Sequence, residues 1–380
     1  MAAEGRVPAL LRRRLVAQGL AGPPLGTGAA GPVAVARRLL ATQGQDPRGF
    51  RLAVRARTRA TTGADVDRAL GEERSLLVSW LNRGTLHLVT REDYPLLQAL
   101  LTPWQRTATM TRLAQLGIDA DLADRAVGLV DGWLADEGPM SRPVLRERLL
   151  ARGIPVEGQG LVHVLFRASL DGVLVRGPVA GPGGDQLYVR VADWLPEAPA
   201  AIDAVRRTPE RGYAEIARRY LVGHGPADAR DLAKWLAVPL GRARAALAAL
   251  GPRVVEVGGG LVELAPGTGA AGELGAADGS VGELGAAGGR AARLPPPRLL
   301  GAFEPLLLGW RSRAAVLGDH ESAVISGGVF RGIGLAGGRA VGVWRFGGTG
   351  IDFTAFGPIG DSVIQALERD AGAVLRFLGR

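Results

Sequence analysis

Along the chain the spacing of apolar positions switches repeatedly between the three-to-four period of a helix and the alternation of a strand. PVAVARRLLATQ (32–43) reads as a helix with an arginine-bearing face. PRGFRLAVRARTRA (47–60) reads as a second, opened by a proline where the missing N–H costs nothing. DVDRALGEE (65–73) is a short third helix, and SLLVSW and TLHLVT, split by Leu81-Asn82-Arg83-Gly84, form a hairpin. The order recurs. ADLADRAVGLVDGWLADEG, SRPVLRERLLARG with Ser141 as its cap, and LVHVLFRASLDG are helices. They precede LVRG and QLYVRVADW, strands around the loop VAGPGGD. A third round has helices in GYAEIARRYLVGHG, PADARDLAKWLA and PLGRARAALAAL, then the hairpin RVVEVGGGLVELA.

Helices followed by a two-stranded wing, three times over, is the winged-helix pattern. The expected fold is α+β: tandem winged-helix units at 1–104, 105–200 and 201–265, then a β-rich C-terminal portion at 295–380. In that portion GGVFRGIGLAGG and RAVGVWRF alternate as strands about a Gly-Gly turn, and GDSVIQALERDAGAVLRFL is a terminal amphipathic helix. Residues 266–294 break the rhythm. They are Gly/Ala-rich, carry GELGAA twice (272–277 and 282–287), and read as a flexible linker, inside the third wing or between domains.

Composition narrows the chemistry. The chain has no cysteine, which excludes disulfides, thiolate chemistry and cysteine-ligated metal. Its four histidines, His87, His163, His224 and His320, lie far apart, so no metal site and no cofactor is expected. No apolar run is long enough to span a membrane, and the N-terminal region lacks the order of a signal peptide, so a cytoplasmic protein is expected. The net charge is +9, and its single lysine is Lys234. The excess is concentrated: residues 31–60 hold seven arginines (37, 38, 48, 51, 55, 57 and 59) against one acid, Asp46. That run reads either as a solvated basic face or as a surface for phosphates.

Inside the run sits Gln43-Gly44-Gln45, followed by Asp46-Pro47. On a helix, residues i and i+2 point about 200° apart and could not converge. Gly44 weakens a helix, and Pro47 pushes Asp46 out of the α region. In an extended or turn conformation the two amides share a side and could hold a water or face a developing cation. Geometry alone favours the plainer reading, a solvated polar cap. His87 reads as a hydrogen-bonded core histidine rather than an acid or base, and Trp310 and Trp344 as core. Glu304 and Arg313 read as an ion pair or as part of a site lining.

Several stretches together resemble a known family, the bacterial winged-helix proteins that include AlkZ-like, crosslink-unhooking DNA glycosylases. They are RRLLATQGQDPR, LLVSWLNRGTLHLVTREDYPLL, GLVHVLFRASLDGVLVRGP, YLVGHGPADARDLAKWLAVPLGRARAALAAL, FEPLLLGWRSR and GRAVGVWRF, covering most of 31–347 outside the linker. The resemblance implies winged helices cupping double-stranded DNA. It implies a glycosylase for N7-alkylated purines, with interstrand crosslinks as a further substrate class and with Gln43 and Gln45 catalytic. The family's middle position is apolar, and Gly44 departs from it. Phosphate contacts are then expected from Arg37, Arg38, Arg48, Arg51, Arg55, Arg242, Arg244 and Arg339, with the protein acting as a monomer. The family also holds proteins known only as DNA binders, so a non-catalytic winged-helix regulator is the alternative; a drug-sequestering protein would instead need a deep apolar pocket. The composition of the 266–294 segment makes its own prediction: deleting 268–290 should leave the melting temperature nearly unchanged, and a large drop would show that it belongs to a folded element.

Overall fold

Short polar side chains start the helices where the sequence places them. Asp46 accepts from the Arg48 N–H at 2.8 Å, Asp119 from Leu122 at 2.9 Å, Ser141 from Val144 at 3.5 Å and Asp228 from Asp231 at 2.7 Å. Each satisfies one of the donors that a helix N-terminus leaves unpaired. The structure is a computed structural model that describes residues 8–181, 184–268, 292–348 and 350–380. It mixes helices with antiparallel sheets, and the chain divides into two units: residues up to Gly63 together with Tyr213–Arg380, and Ala64–Gly212. Among the described residues no helix is long and apolar enough to cross a membrane.

In the unit Ala64–Gly212 the hairpin of Leu76–Trp80 and Leu86–Thr90 is buried on both faces. Leu174–Val179 pairs antiparallel with Leu76–Trp80 through Val78 and Arg176, and Gln186–Arg190 with Leu174–Val179. The hairpins of the first two predicted wings are therefore neighbours in one sheet. QLYVRVADW is not a strand throughout: Val191–Trp194 is a helical turn. There Ala192 and Asp193 are exposed between buried Val191 and Trp194, the spacing of a turn rather than an alternating strand. Beside the expected helices Ala120–Glu137, Arg142–Ala151 and Gly160–Leu170, the unit contains helices at Tyr94–Leu101, Gln105–Gln115 and Ala198–Arg207.

In the other unit three helices, Pro209–His224, Ala229–Leu236 and Leu240–Ala248, lead into the hairpin Val254–Glu256/Val262–Leu264. That wing closes through Gly258, Gly259 and Gly260, all at positive φ, before residue 266, so the Gly/Ala-rich segment follows the wing instead of interrupting it. Residues 269–291 of that segment lie outside the described residues. The C-terminal sheet runs in the order Arg298–Leu300, Gly332–Ala336, Arg339–Phe346, Ile351–Ala355, antiparallel throughout. The helix Asp361–Phe377 packs on it, and Leu52 from the helix Pro47–Arg55 joins Leu299, Trp344, Leu367 and Val374 in one core.

A buried charge ties this unit together. The Arg57 and Glu304 side chains are both fully buried, with Nη2 2.5 Å from Oε1. Arg57 also donates to Ala53 O (3.0 Å), Gln18 O (2.7 Å) and Gln18 Oε1 (3.0 Å). Glu304 thus pairs with Arg57; Arg313, its expected partner, bonds Glu321 and Leu307 O instead. Removing one member of such a pair strands the other charge in the interior. Glu304→Leu should therefore cost about 3–5 kcal/mol, and Arg57→Met/Glu304→Leu should cost less than that single change. Urea or thermal unfolding of the three proteins checks this, and additive losses would show that the two residues are not coupled.

Candidate functional site

The helix Gly31–Leu39 stops four residues before Gln43. It was expected to run through Gln43; the reason it does not is burial. Leu39, Leu40, Ala41, Thr42 and Gln43 are all buried, which would wrap around the whole circumference of a helix whose outer face carries half-exposed Arg37 and Arg38. The chain instead reverses at Leu40, with φ 63° and ψ −46°, and the Ala41 N–H donates to Leu39 O at 2.7 Å. An i to i+2 bond at positive φ is the rare form of γ-turn, a conformation that costs a leucine on the order of 1–3 kcal/mol. Leu40 has no exposed surface, so its packing holds the turn.

Thr42 and Gln43 are extended, Gln45 and Asp46 form a bend, and the helix Pro47–Arg55 begins at once. The two glutamines thus lie in non-helical chain between two helices. Gln43 is buried and Gln45 exposed, so their amides sit at different depths. Gly44 is buried as well, and it is not among the described glycines with positive φ. Gly49 fixes the start of the following helix. A Cβ there would lie 2.4 Å from Ala302 O, so only a glycine lets the helix lie against the chain at 301–302, just past the strand Arg298–Leu300.

The eight predicted phosphate contacts divide. Arg48, Arg242, Arg244 and Arg339 are exposed. Arg48 lies over the Phe346 ring at 5.0 Å, and Arg242 donates to the Tyr213 hydroxyl at 3.1 Å. Arg37 and Arg38 are half-buried; Arg38 donates to Val222 O at 3.4 Å, and burial lowers its pKa. Arg51 and Arg55 turn inward. Arg51 is buried and donates to Pro47 O at 3.0 Å, and Arg55 grips Asp370 with both Nη atoms, at 2.5 and 3.2 Å. Asp370 in turn accepts from the Leu299 N–H at 2.7 Å. Arg55, like Arg57, is therefore part of the interior scaffold, and the basic run is less basic at the surface than its sequence suggests.

Beside Gln45 a groove of about 690 Å³ runs between the start of the helix Pro47–Arg55 and the C-terminal sheet. Asp46 and Arg48 line one side; Phe330, Arg331, Trp344 and Arg345 line the other. Arg331 and Arg345 are exposed cations that sequence reasoning missed, because Arg331, between two strands, and Arg345, on another, form no run. At the groove's edge Val329 is 58% exposed, on the short hairpin Ile325–Ser326/Val329–Phe330. Trp344 and Trp310 are core residues, donating to Leu300 O (2.7 Å) and His224 O (2.9 Å).

His87 lies in the unit Ala64–Gly212, on the strand Leu86–Thr90, and is buried. Its Nδ1 is 2.9 Å from Thr85 O. A carbonyl only accepts, so Nδ1 carries the proton. Burial, then the nearby Arg83 charge, push its pKa down to about 3. The ring is neutral at ordinary pH and built into the core rather than poised to titrate there.

A profile of the family described as "DNA glycosylase AlkZ-like" matches residues 36–377. The chain is 26% identical over 365 residues to a protein of Streptomyces sahachiroi named interstrand DNA cross-link repair glycosylase, with 91% of this chain and 90% of that protein covered. Its fold matches the solved structure of Streptomyces sahachiroi DNA glycosylase AlkZ with a TM-score of 0.69, at 23% identity, over 98% of this chain and 96% of the other.

The depressed His87 pKa has a signed consequence. The folded state refuses a proton that the unfolded chain takes up below about pH 6.5, so stability is lost as the pH falls from there toward 3. At pH 5 the loss should be about 2 kcal/mol. His87→Gln should flatten the pH dependence of the melting temperature between pH 6.5 and 4.5 relative to the parent protein. Parallel curves for the two would show that His87 is not protonated on unfolding.

Proposed function

The chain belongs to the AlkZ-like DNA glycosylase family, and on that footing we propose that it hydrolyses the N-glycosidic bond of N7-alkylated purines in double-stranded DNA, interstrand crosslinks included. The observation that carries the reading is the placement of Gln43-Gly44-Gln45 in non-helical chain, anchored by the strained, buried turn at Leu40 on one side and by Gly49 on the other. A helix cap would need no such anchoring.

The chemistry suits uncharged amides. A purine alkylated at N7 already carries a positive charge and leaves without strong acid assistance. What remains is to orient a water and to accommodate an oxocarbenium-like sugar. Exposed Gln45 is the member of the pair that reaches the lesion nucleotide and holds the water with its carbonyl. Buried Gln43 fixes the local geometry and shares the same water. No cofactor enters the reaction. Most glycosylases swallow a flipped base; the groove beside Gln45 is open and lined by arginines, which suits a bulky lesion better. The three helix-and-hairpin segments act as winged helices on the duplex. Arg48, Arg242, Arg244, Arg331, Arg339 and Arg345 are the exposed cations that supply phosphate contacts, and the protein works as a monomer in the cytoplasm.

Duplex carrying N7-methylguanine or a nitrogen-mustard crosslink, treated with alkali after incubation, reports base release. Gln45→Ala should slow single-turnover release by about 10²-fold or more, the scale seen when a positioned catalytic group is removed. Gln43→Ala should act similarly, and the double variant should cost little beyond the worse single, since one water is shared. Affinity for undamaged duplex should hardly change, because neither residue is charged. Unchanged release in both single variants would leave the pair as a polar cap and the protein as a DNA binder without this chemistry.

A further inference from the structure

A second cavity, of about 490 Å³, lies at the far end of the same helix. Arg57, Thr58 and Arg59, just past the helix Pro47–Arg55, form one wall; Arg293 and Arg298, which flank Pro295–Pro296, form another. Among the described residues no carboxylate lines it. Both walls are pinned. The Leu25 N–H donates to Arg57 O at 2.9 Å, and Thr27 pairs with Arg59 in a short parallel bridge. Across the cavity Arg12 donates to Ala292 O at 2.7 Å, and the Gly22 N–H to Arg293 O at 3.3 Å.

Charge does not balance here. In the interior behind the cavity stand three arginines and two acids. Arg55 is held by Asp370 and Arg57 by Glu304, which leaves Arg298 in excess. Arg298 donates through Nη1 to Ala56 O, but its Nε is buried with no partner among the described residues. Burial lowers its pKa, against the attraction of Asp370, which Arg55 already engages. At the mouth, Arg59 and Arg293 are exposed, and among the described residues neither side chain has an ion-pair partner. Arg59, Arg293 and Arg298 thus line one cavity, one of them desolvated with an unused donor, and among the described residues no carboxylate lines it with them.

We propose that this cavity is a phosphate-binding site, formed by Arg59, Arg293 and Arg298. Guanidinium forks match the paired oxygens of a phosphoryl group and hold it more selectively than they would hold chloride. The shared chemistry has two sources, a backbone phosphate of DNA or a free phosphoryl compound. Geometry allows the first. The helix Pro47–Arg55 has nine residues and so spans about 14 Å, which is about four phosphates along one strand of duplex at 3.4 Å each. A strand whose lesion lay at Gln45 could therefore seat a phosphate here, outside the groove beside the glutamines. The site does not depend on the glycosylase reading, and its first test needs no DNA.

The test compares the parent protein with Arg59→Gln/Arg293→Gln, and with Arg59→Gln alone in case the double variant folds poorly. Melting temperature is read in inorganic phosphate and in chloride at equal ionic strength and pH. The parent should show a saturable rise in phosphate of about 2 °C or more, and the variants should lose it while melting normally in chloride. The logarithmic salt dependence of binding to undamaged duplex then separates the sources. A slope shallower by about one in the double variant assigns the site to a single DNA phosphate; an unchanged slope assigns it to a free phosphoryl ligand. If phosphate stabilises the parent no more than chloride does, or stabilises the variants equally, the proposal is overturned. A slope change without a phosphate response overturns it too, because it would mark ordinary surface contacts.

Discussion

One guanidinium group holds the unit that carries the glutamine pair. Arg57 is fully buried and satisfies the helix behind it through Ala53 O, the N-terminal segment through both oxygens of Gln18, and the C-terminal segment through Glu304. Gln18 passes the connection on, donating from Nε2 to Gly223 O at 2.7 Å. Three stretches far apart in sequence therefore meet at one planar cation, and a fourth is tied in through Gln18. A lysine could not replace it, since a single ammonium on a flexible stem cannot address partners in several directions within one plane. Burial raises the energetic stake of each bond: in a low dielectric every satisfied contact counts for more, and every lost one leaves a costly orphan.

From that hub the helix Pro47–Arg55 acquires a fixed position. Its far end is held by Arg55 and Arg57, its middle by Leu52 in the core of the C-terminal sheet, and its start by the close approach of Gly49 to Ala302 O. The bend at Gln45 and Asp46 hangs from this helix on one side and from the γ-turn at Leu40 on the other. The loop bearing the pair is short, and both of its ends are immobilised by burial. That is the arrangement expected where a water must be oriented rather than a strong acid supplied.

Much of this was legible in the sequence. The order of helices and hairpins, the cap at Ser141, the Gly337-Gly338 turn and the terminal helix all rest on local chemistry, and local chemistry is what a sequence displays. That Gln45 leaves the helix also followed from Gly44, Asp46 and Pro47, whereas Gln43 read as its last residue. Where the preceding helix stops did not follow, because the burial of Leu39 through Gln43 is a property of the packed unit. The basic run misled for a related reason. Arg55 and Arg57 look like surface residues until their carboxylates arrive from Asp370 and Glu304, 315 and 247 positions away. The opposite error hid Arg331 and Arg345, which gain a shared surface only when the strands around them are laid side by side. The helices at Tyr94–Leu101 and Gln105–Gln115 escaped notice because one is apolar nearly all round and the other buries only isolated positions.

The contact at Gly49 bears on how such a protein can change over generations. A methyl group at that position would press on a backbone carbonyl, and a backbone cannot rotate out of the way as a side chain can. Gly301 lies against the same spot, with the Gly49 Cα 3.1 Å from where its own Cβ would sit. Each glycine therefore closes the other's options. Enlarging either would lever the helix away from the sheet and carry Gln45 with it. Drift at two positions that touch no substrate would then be read out at the reacting bond, whereas exposed arginines along the groove can be exchanged one at a time with only a graded loss of grip.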